Sequence, residues 1–381
     1  MFRIASFNCE NLFERPKAMN LDSWSDGKPV LDAYREVNEL IQKDNYTTAT
    51  KTKIRDLLVT LEIYTKKGNV IRRNPTLPPK WAWLRKNRGT FDHEPTDTKK
   101  SVEIIAGGRG DWIGWIELAT EPVNEIGTKT TGRVINDVHA DIIAIVEAED
   151  RPSLVRFNKE LLGGRYAHMM LVDGNDERGI DVGIMTASSF TIESIHSNVD
   201  ATDAKGIIFS RDCPQYEVRT PGGTAVQVLI NHFKSQSGGG GDKRKRQAAE
   251  VRRIVDKLVQ DGEHVIVLGD LNEGPRKGNT QADNLADLYN NNSPLVDCYS
   301  LPGFDLGNVQ GTWDDCGLGH RFDYIFLSKS LVPLVTASGV FRKGLWGGRK
   351  TRPDKWDTYP EMTKSVEEAS DHAAIYVDLN I

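Results

Sequence analysis

The feature that most constrains this chain is a series of apolar, β-branched runs that stop on polar residues. They are "FRIASF", "DIIAIVE", "GIDVGIMT", "AVQVLINHF", "HVIVLGD", "FDYIFLS" and "AAIYVDL". Runs of this length and composition read as strands. Helical spacing lies between some of them. In "DKRKRQAAEVRRIVDKLVQDG", Ala248, Val251, Ile254, Val255 and Leu258 recur on one face and Gly262 closes the segment; "RPSLVRFNKELLGG" is closed by Gly163. Several neighbouring strands have no helix between them, which disfavours a purely doubly wound parallel sheet and favours a two-sheet core covered by helices.

At 381 residues the chain is long for one domain, so a large domain with insertions is the expectation. The stretch 15–132 is polar, turn-rich and weakly periodic. It reads as an insertion within a single domain spanning 1–381, helical in part near "TATKTKIRDLLVTLEIYTKKG". A hydrophobic content of 38% with 27% charged residues excludes a disordered chain. No apolar run approaches the ~20 residues that cross a bilayer, and "MFRIASFNCENLF" lacks the pattern of a secretion signal. A cytoplasmic protein with no membrane contact is expected. Cys9, Cys213, Cys298 and Cys316 form no CxxC pair, which argues against a zinc site or a disulfide framework and fits a reducing compartment.

The chemistry sits where the strands stop. Asn8, Glu147, His232 and the pair Asp270 and Asn272 lie at strand ends, Asp323 lies at the start of its strand, and Asp371 and His372 directly precede the last one. One carboxylate in such a place is ordinarily a turn former or helix cap. Eight polar residues at the ends of strands sharing a core can converge on one rim. An oxygen-rich set of this kind suits Mg²⁺, which takes carboxylates together with phosphate and water. The histidines suit proton transfer near neutral pH; zinc is the lesser reading, because no HxxxH or HExxH spacing occurs.

"ASFNCENLF", "DIIAIVEAED", "RGIDVGIM", "NHFKS", "GDLN", "RFDYIFLS" and "SDH" occur in an order and spacing that resemble the endonuclease/exonuclease/phosphatase superfamily, in a style closest to its bacterial nucleases. The resemblance covers roughly residues 1–14 and 133–381. It implies an α/β (α+β) fold, a four-layered αββα sandwich of the DNase I-like type, and Mg²⁺- or Mn²⁺-dependent phosphoester hydrolysis with one or two ions. By position, Asn8, Glu147 and Asp371 would hold metal. Asp270 would orient or deprotonate the attacking water, and Asn272 would contact the scissile phosphate. His372, oriented by Asp323, would contact a phosphate oxygen, and His232 would supply a proton.

Arg178 of "RGIDVGIM", Lys234 of "NHFKS", Lys243 and Arg244 of "DKRKRQ", and Arg349 are the candidate substrate contacts. Phosphate backbones are held by lysine and arginine, and bases stack on aromatic rings. Two places combine both: Trp81 and Trp83 among Lys80, Arg85, Lys86 and Arg88, and "FRKGLWGGRKTRPDKW". Residues 51–100 carry 13 Lys or Arg against 5 Asp or Glu, despite a net charge of -5 for the whole chain. These features favour a nuclease, with DNA preferred over RNA by analogy. The alternatives are a phosphatase or phospholipase C-type hydrolase of the same superfamily and a non-catalytic nucleic-acid-binding protein.

Overall fold

The apolar runs build two six-stranded sheets. In chain order their strands are β1 (Phe2–Leu12), β2 (Ile142–Ala148), β3 (His168–Val172), β4 (Asp181–Thr186), β5 (Thr191–His196), β6 (Gln215–Arg219), β7 (Ala225–His232), β8 (His264–Asp270), β9 (Leu295–Asp297), β10 (Asp323–Ser328), β11 (Val335–Phe341) and β12 (Ala374–Leu379). The first sheet has the order β3-β4-β2-β1-β12-β11 and the second β5-β6-β7-β8-β10-β9. These come from a computed structural model that describes residues 1–12, 14–19, 24–122, 125–176, 178–236, 239–290, 292–347 and 355–381. Chain contacts gather into two units, Met1–Phe13 with Asn124–Ile381, and Glu14–Val123.

Period-2 alternation sorts each central strand of the first unit between two cores. Ile4 on β1, Ile142 and Ala144 on β2, and Ile266 and Leu268 on β8 meet in a core between the sheets. Ala5, Phe7, Ile143 and Ile145 face the opposite way, against Val134, Ile135 and Val138 of helix α1 (Glu125–Val138) and Leu154 and Phe157 of α2 (Arg151–Leu161). On the second sheet Leu229, Val265, Val267 and Phe326 pack under Ala248, Val251 and Val255 of α3 (Gly241–Gln260). The layering is helix, sheet, sheet, helix, as the resemblance implies. Helix α2 starts where Asp150 accepts a 2.7 Å hydrogen bond from the Ser153 amide, a cap that satisfies one of the free amides of a first turn.

Residues Glu14–Val123 form a unit with its own core. Helices Trp24–Ile41 and Thr48–Thr60 bury Val37, Ile41, Ile54 and Leu58 against Tyr64, Phe91, Trp112 and Ile116. The sequence "TATKTKIRDLLVTLEIYTKKG" is helical only through Thr60 and then turns into the hairpin strand Tyr64–Lys67. The unit begins and ends on a two-stranded ribbon in which Glu14 pairs with Pro122 and Pro16 with Thr120. The unit stops at Val123, before α1, whose Thr131, Val134 and Ile135 are buried in the first unit.

Candidate active site

Strand register assembles the site. β7 and β8 run parallel with His232 opposite Asp270, and β8 and β10 run antiparallel with Asp270 opposite Asp323. Three ionisable side chains therefore stand side by side at one end of the second sheet. From the first sheet, Asn8 near the end of β1 sits beside Val146, so Glu147 follows one residue on. The amide of Asn8 spans the two groups, donating to Glu147 Oε1 at 3.4 Å and to Asp270 Oδ2 at 3.1 Å.

Asp270 is the hub. Its Oδ1 accepts from the Asn272 backbone amide at 2.8 Å and its Oδ2 from the Asn272 side chain at 3.0 Å. Asn272 can fold back in this way because its backbone is left-handed, with φ +52°. Glu147 also holds positive φ, +66°, a conformation that costs a glutamate on the order of 1–3 kcal/mol and persists where surrounding contacts enforce it. Burial pushes Asp270 up to about 7; His372 opposes that shift and Asp323 adds to it. Burial likewise raises Glu147.

The two histidines share a neighbour and are shifted in opposite directions. His372 Nδ1 is 2.8 Å from Asp323 Oδ2, and its Nε2 stands 3.8 Å from both Asp270 Oδ2 and Asp371 Oδ1. Burial alone would lower its pKa, but the carboxylates of Asp323 and Asp270 outweigh burial and hold it well above the usual imidazole value. His232 Nε2 is 3.6 Å from Glu147 Oε1 and 3.6 Å from Asp270 Oδ2. Burial, then the positive charges of Arg211, His372 and Arg178, hold its ring well below that value. Around one carboxylate, the two rings are therefore shifted in opposite directions.

Three residues join the site that sequence reasoning did not name. Glu10, two positions past Asn8, accepts from the Asp371 amide at 2.9 Å. Its spacing repeats that of Asp270 and Asn272, so the rule used for that pair would have found it. Trp313 donates from its indole nitrogen to Asp371 Oδ2 at 2.7 Å and stacks on Phe322, with centroids 5.1 Å apart. Arg211, only 3% exposed, lies 3.0 Å from Asp176 and lines the cleft with Arg178. It comes from an irregular loop, "FSRDCP", with no periodicity to flag it. The cleft holding Glu10, Glu147, Asp270, Trp313 and His372 has a volume of about 370 Å³.

The expected substrate contacts divide. Arg178 lines the cleft, paired with Asp176 at 2.8 Å. Arg244 is buried, bonds Glu273 at 2.5 Å, and donates to the carbonyls of Lys234 and Ser235 at 2.9 and 3.2 Å. It thus fastens the loop after β7 to α3. The Lys243 ammonium bonds the Ile207 carbonyl and Arg246 pairs with Asp203, so this basic run braces the hairpin at 202–207. Lys234 is fixed through its backbone, its amide donating to Gln247 at 3.0 Å. Arg349 lies outside the described residues. In the segment around it, Arg342 is buried on the carbonyls of Leu306 and Gly311, and Trp356 bonds the Leu345 carbonyl.

The donors fit a hard divalent cation better than zinc. Carboxylates of Glu10, Glu147, Asp270 and Asp371 and the amides of Asn8 and Asn272 surround one cleft, and hard cations take oxygen. Asp270, Asp323 and His372 place one ligand atom each within 4.8 Å of one another, and the buried Asp323 Oδ1 has no hydrogen-bond partner among the described residues. The metal set expected from sequence was Asn8, Glu147 and Asp371. Of these, Asn8 turns its nitrogen to the carboxylates while its oxygen accepts from the Glu10 amide at 3.0 Å; amide orientation of this kind is assigned from the hydrogen-bond network.

The profile of the Endonuclease/Exonuclease/phosphatase family matches residues 90–380, and the chain belongs to that family. The match does not include β1, which carries Asn8 and Glu10. Among solved structures, the chain is similar to an endonuclease/exonuclease/phosphatase from Bacteroides vulgatus, with 16% identity, 68% of this chain and 91% of that one covered, and a TM-score of 0.50. It is also similar to truncated TDP2 of Caenorhabditis elegans (19% identity, 66% and 88% covered, TM-score 0.44) and to a mannosyl-6-phosphatase of Bacteroides thetaiotaomicron (17% identity, 67% and 92% covered, TM-score 0.49). No curated protein matches it in sequence. Members of this family are phosphoester hydrolases that generally use a divalent metal.

Proposed function

We propose that the chain is a Mg²⁺- or Mn²⁺-dependent phosphodiesterase acting on nucleic acid, with DNA the first candidate. The observation that carries this reading is the continuous network from Glu147 through Asn8 to Asp270 and on to His372 and Asp323, in one open polar cleft. One or two ions would be held by Glu147 and Asp371 with Asn8 beside them. Bound there, a divalent ion supplies neutralisation of phosphate oxygens and a more acidic water.

The chain's own groups do the rest. Asp270, buried and doubly bonded by Asn272, orients the attacking water and takes its proton. His372, charged and fixed by Asp323, donates to a phosphate oxygen as negative charge develops, the kind of stabilisation that lowers the barrier most. His232, whose Nε2 stands 3.6 Å from Glu147 and from Asp270, supplies a proton through its one N–H, as a neutral imidazole still can. Arg178 and Arg211 hold the flanking phosphates. The lysine and arginine surplus within residues 51–100 supports a polyanionic substrate over a small phosphomonoester.

The test is cleavage of plasmid, single-stranded and duplex oligonucleotides with Mg²⁺, with Mn²⁺ and with chelator, beside release of free phosphate from sugar phosphates. Metal-dependent cleavage of a polynucleotide is the expected result. His372→Ala and Asp270→Ala should each lower it by about 100-fold or more with unchanged unfolding curves. Phosphate release from a monoester with every nucleic acid intact would replace this reading by a phosphatase.

A further inference from the structure

The unit Glu14–Val123 carries an exposed surface of its own. Strands Ala82–Gly89 and Trp112–Leu118 pair antiparallel, with Trp83 opposite Glu117, Arg85 opposite Trp115 and, past an irregularity, Arg88 opposite Ile113. Opposed residues of an antiparallel pair point to the same face. The inner face is covered: Trp112 is 2% and Ile116 1% exposed, packed with Ala82 in the unit's core. The outer face is not. Trp115 is 48% and Ile113 39% exposed.

Two tryptophans, one on each strand, thus share the outer face with two arginines. The Arg85 guanidinium sits over the Trp83 ring at 4.6 Å and pairs with Glu117 at 2.8 Å, which holds both planar groups in place. The Arg88 guanidinium has no ion-pair or hydrogen-bond partner among the described residues. Trp81, which the sequence suggested as part of the same patch, is turned inward: its indole donates to Glu62 at 3.0 Å and it packs on the unit's core. Residues 63–91 contain eight Lys or Arg and no Asp or Glu; Arg72, Arg73, Lys80, Arg85 and Lys86 pair with carboxylates from outside that stretch, and Lys66, Lys67 and Arg88 stand beyond those pairs.

We infer that this outer face docks single-stranded nucleic acid, with Trp115 and Trp83 as stacking platforms and Arg88 as the phosphate contact. The inference deepens the nuclease reading and rests on it for the identity of the polyanion. Diagonal partners on paired strands lie roughly 7–8 Å apart, so two bases of one strand can each take a ring. Flat rings alternating with guanidinium groups suit unpaired bases, which have π-faces to offer, whereas a duplex hides them. An apolar protein partner would leave the arginines facing hydrocarbon.

The test uses the full chain in chelator, so that nothing is cleaved, and reads fluorescence anisotropy of labelled oligo-dT, oligo-A RNA, a duplex of equal length and poly-glutamate. Single strands should bind most tightly. Trp115→Ala should weaken that binding about fivefold or more, Trp115→Phe should largely restore it, and Arg88→Gln should lower the salt slope by about 0.7. Hydrolysis of a small phosphodiester, bis(p-nitrophenyl) phosphate, should be unchanged in all three variants. Oligonucleotide binding without any cleavage would sink the nuclease reading and leave this one standing. Equal binding by Trp115→Ala and the unaltered chain, or binding of poly-glutamate as tight as that of oligo-dT, would overturn it.

Discussion

His372 and His232 face the same Asp270 carboxylate and are shifted in opposite directions, because burial prevails at His232 and the neighbouring carboxylates outweigh it at His372. Behind His372 stands Asp323 at 2.8 Å; around His232 stand Arg211 and Arg178, and its Nδ1 has no hydrogen-bond partner among the described residues. The residue types were legible in the sequence, but this difference was not, since it depends on burial first and then on a loop arginine whose fold position no spacing rule gives. A second carboxylate shows the same physics with a stability consequence. Asp92, in the unit Glu14–Val123, accepts from Tyr64 at 2.7 Å, Arg73 at 2.9 Å and Lys86 at 2.9 Å. Burial pushes its pKa up, but the hydrogen bonds from Arg73, Tyr64 and Lys86 outweigh burial and hold it below the ordinary carboxylate value. A depressed folded-state pKa stabilises above the unfolded value, about 3.9, and that stabilisation is lost as pH falls through the folded value. Asp92→Asn should therefore destabilise the chain by roughly 1–3 kcal/mol at pH 7, less than for a fully buried pair because both cations reach solvent. In thermal melts the gap to the unaltered protein should narrow below pH 4; a gap independent of pH would rule the mechanism out.

Among the elements, the strands read correctly are those buried on both faces, such as β8, whose "HVIVLGD" is apolar from Val265 to Leu268. Those missed are mostly edges. β5, "TIESIH", is exposed along most of its length, and β11 and β9 also lie at sheet margins, so neither a continuous apolar run nor a clean alternation marks them. Helix α1, "EIGTKTTGRVINDV", contains two glycines and three threonines, poor helix formers, and is held by burying Val134, Ile135 and Val138. The helix Trp24–Ile41 carries Pro29 and Gly27 inside its first turns, which hid it. Packing overrode propensity in both. Gly269 gives the sharpest prediction for an element. Its φ is +131°, and a Cβ there would stand 2.0 Å from the Asn231 carbonyl oxygen of β7. Gly269→Ala should cost at least about 3 kcal/mol, read as a lowered denaturation midpoint, because it pries β8 from β7 at the point where Asp270 and His232 are set. An unchanged midpoint would mean that the strands can part there freely.

For the molecule as a whole, chain contacts gather into Met1–Phe13 with Asn124–Ile381 and Glu14–Val123. The stretch 15–132, expected as an insertion, runs into α1, which packs on the first sheet without a strong apolar run to announce it. The ribbon of Glu14–Pro16 with Thr120–Pro122 is continued by a 2.8 Å bond from the Lys17 amide to the Ala119 carbonyl. Replacing residues 17–119 by an Asn-Gly turn should leave a chain that unfolds cooperatively and hydrolyses a small phosphodiester, since that turn suits a two-residue hairpin. An aggregated or molten product would show that the first unit needs the second in order to fold. The same ribbon bears on the order of folding. β1 must pair with β2, Ile4 against Ile142, across most of the first third of the chain, and long closures are slow. Once the ribbon zips, everything between its ends drops out of the path, and the loop to be closed shrinks about fourfold. Each halving spares about 0.6 kcal/mol of closure entropy, so once the ribbon has closed its own long loop, β1 should find its partner roughly eightfold faster.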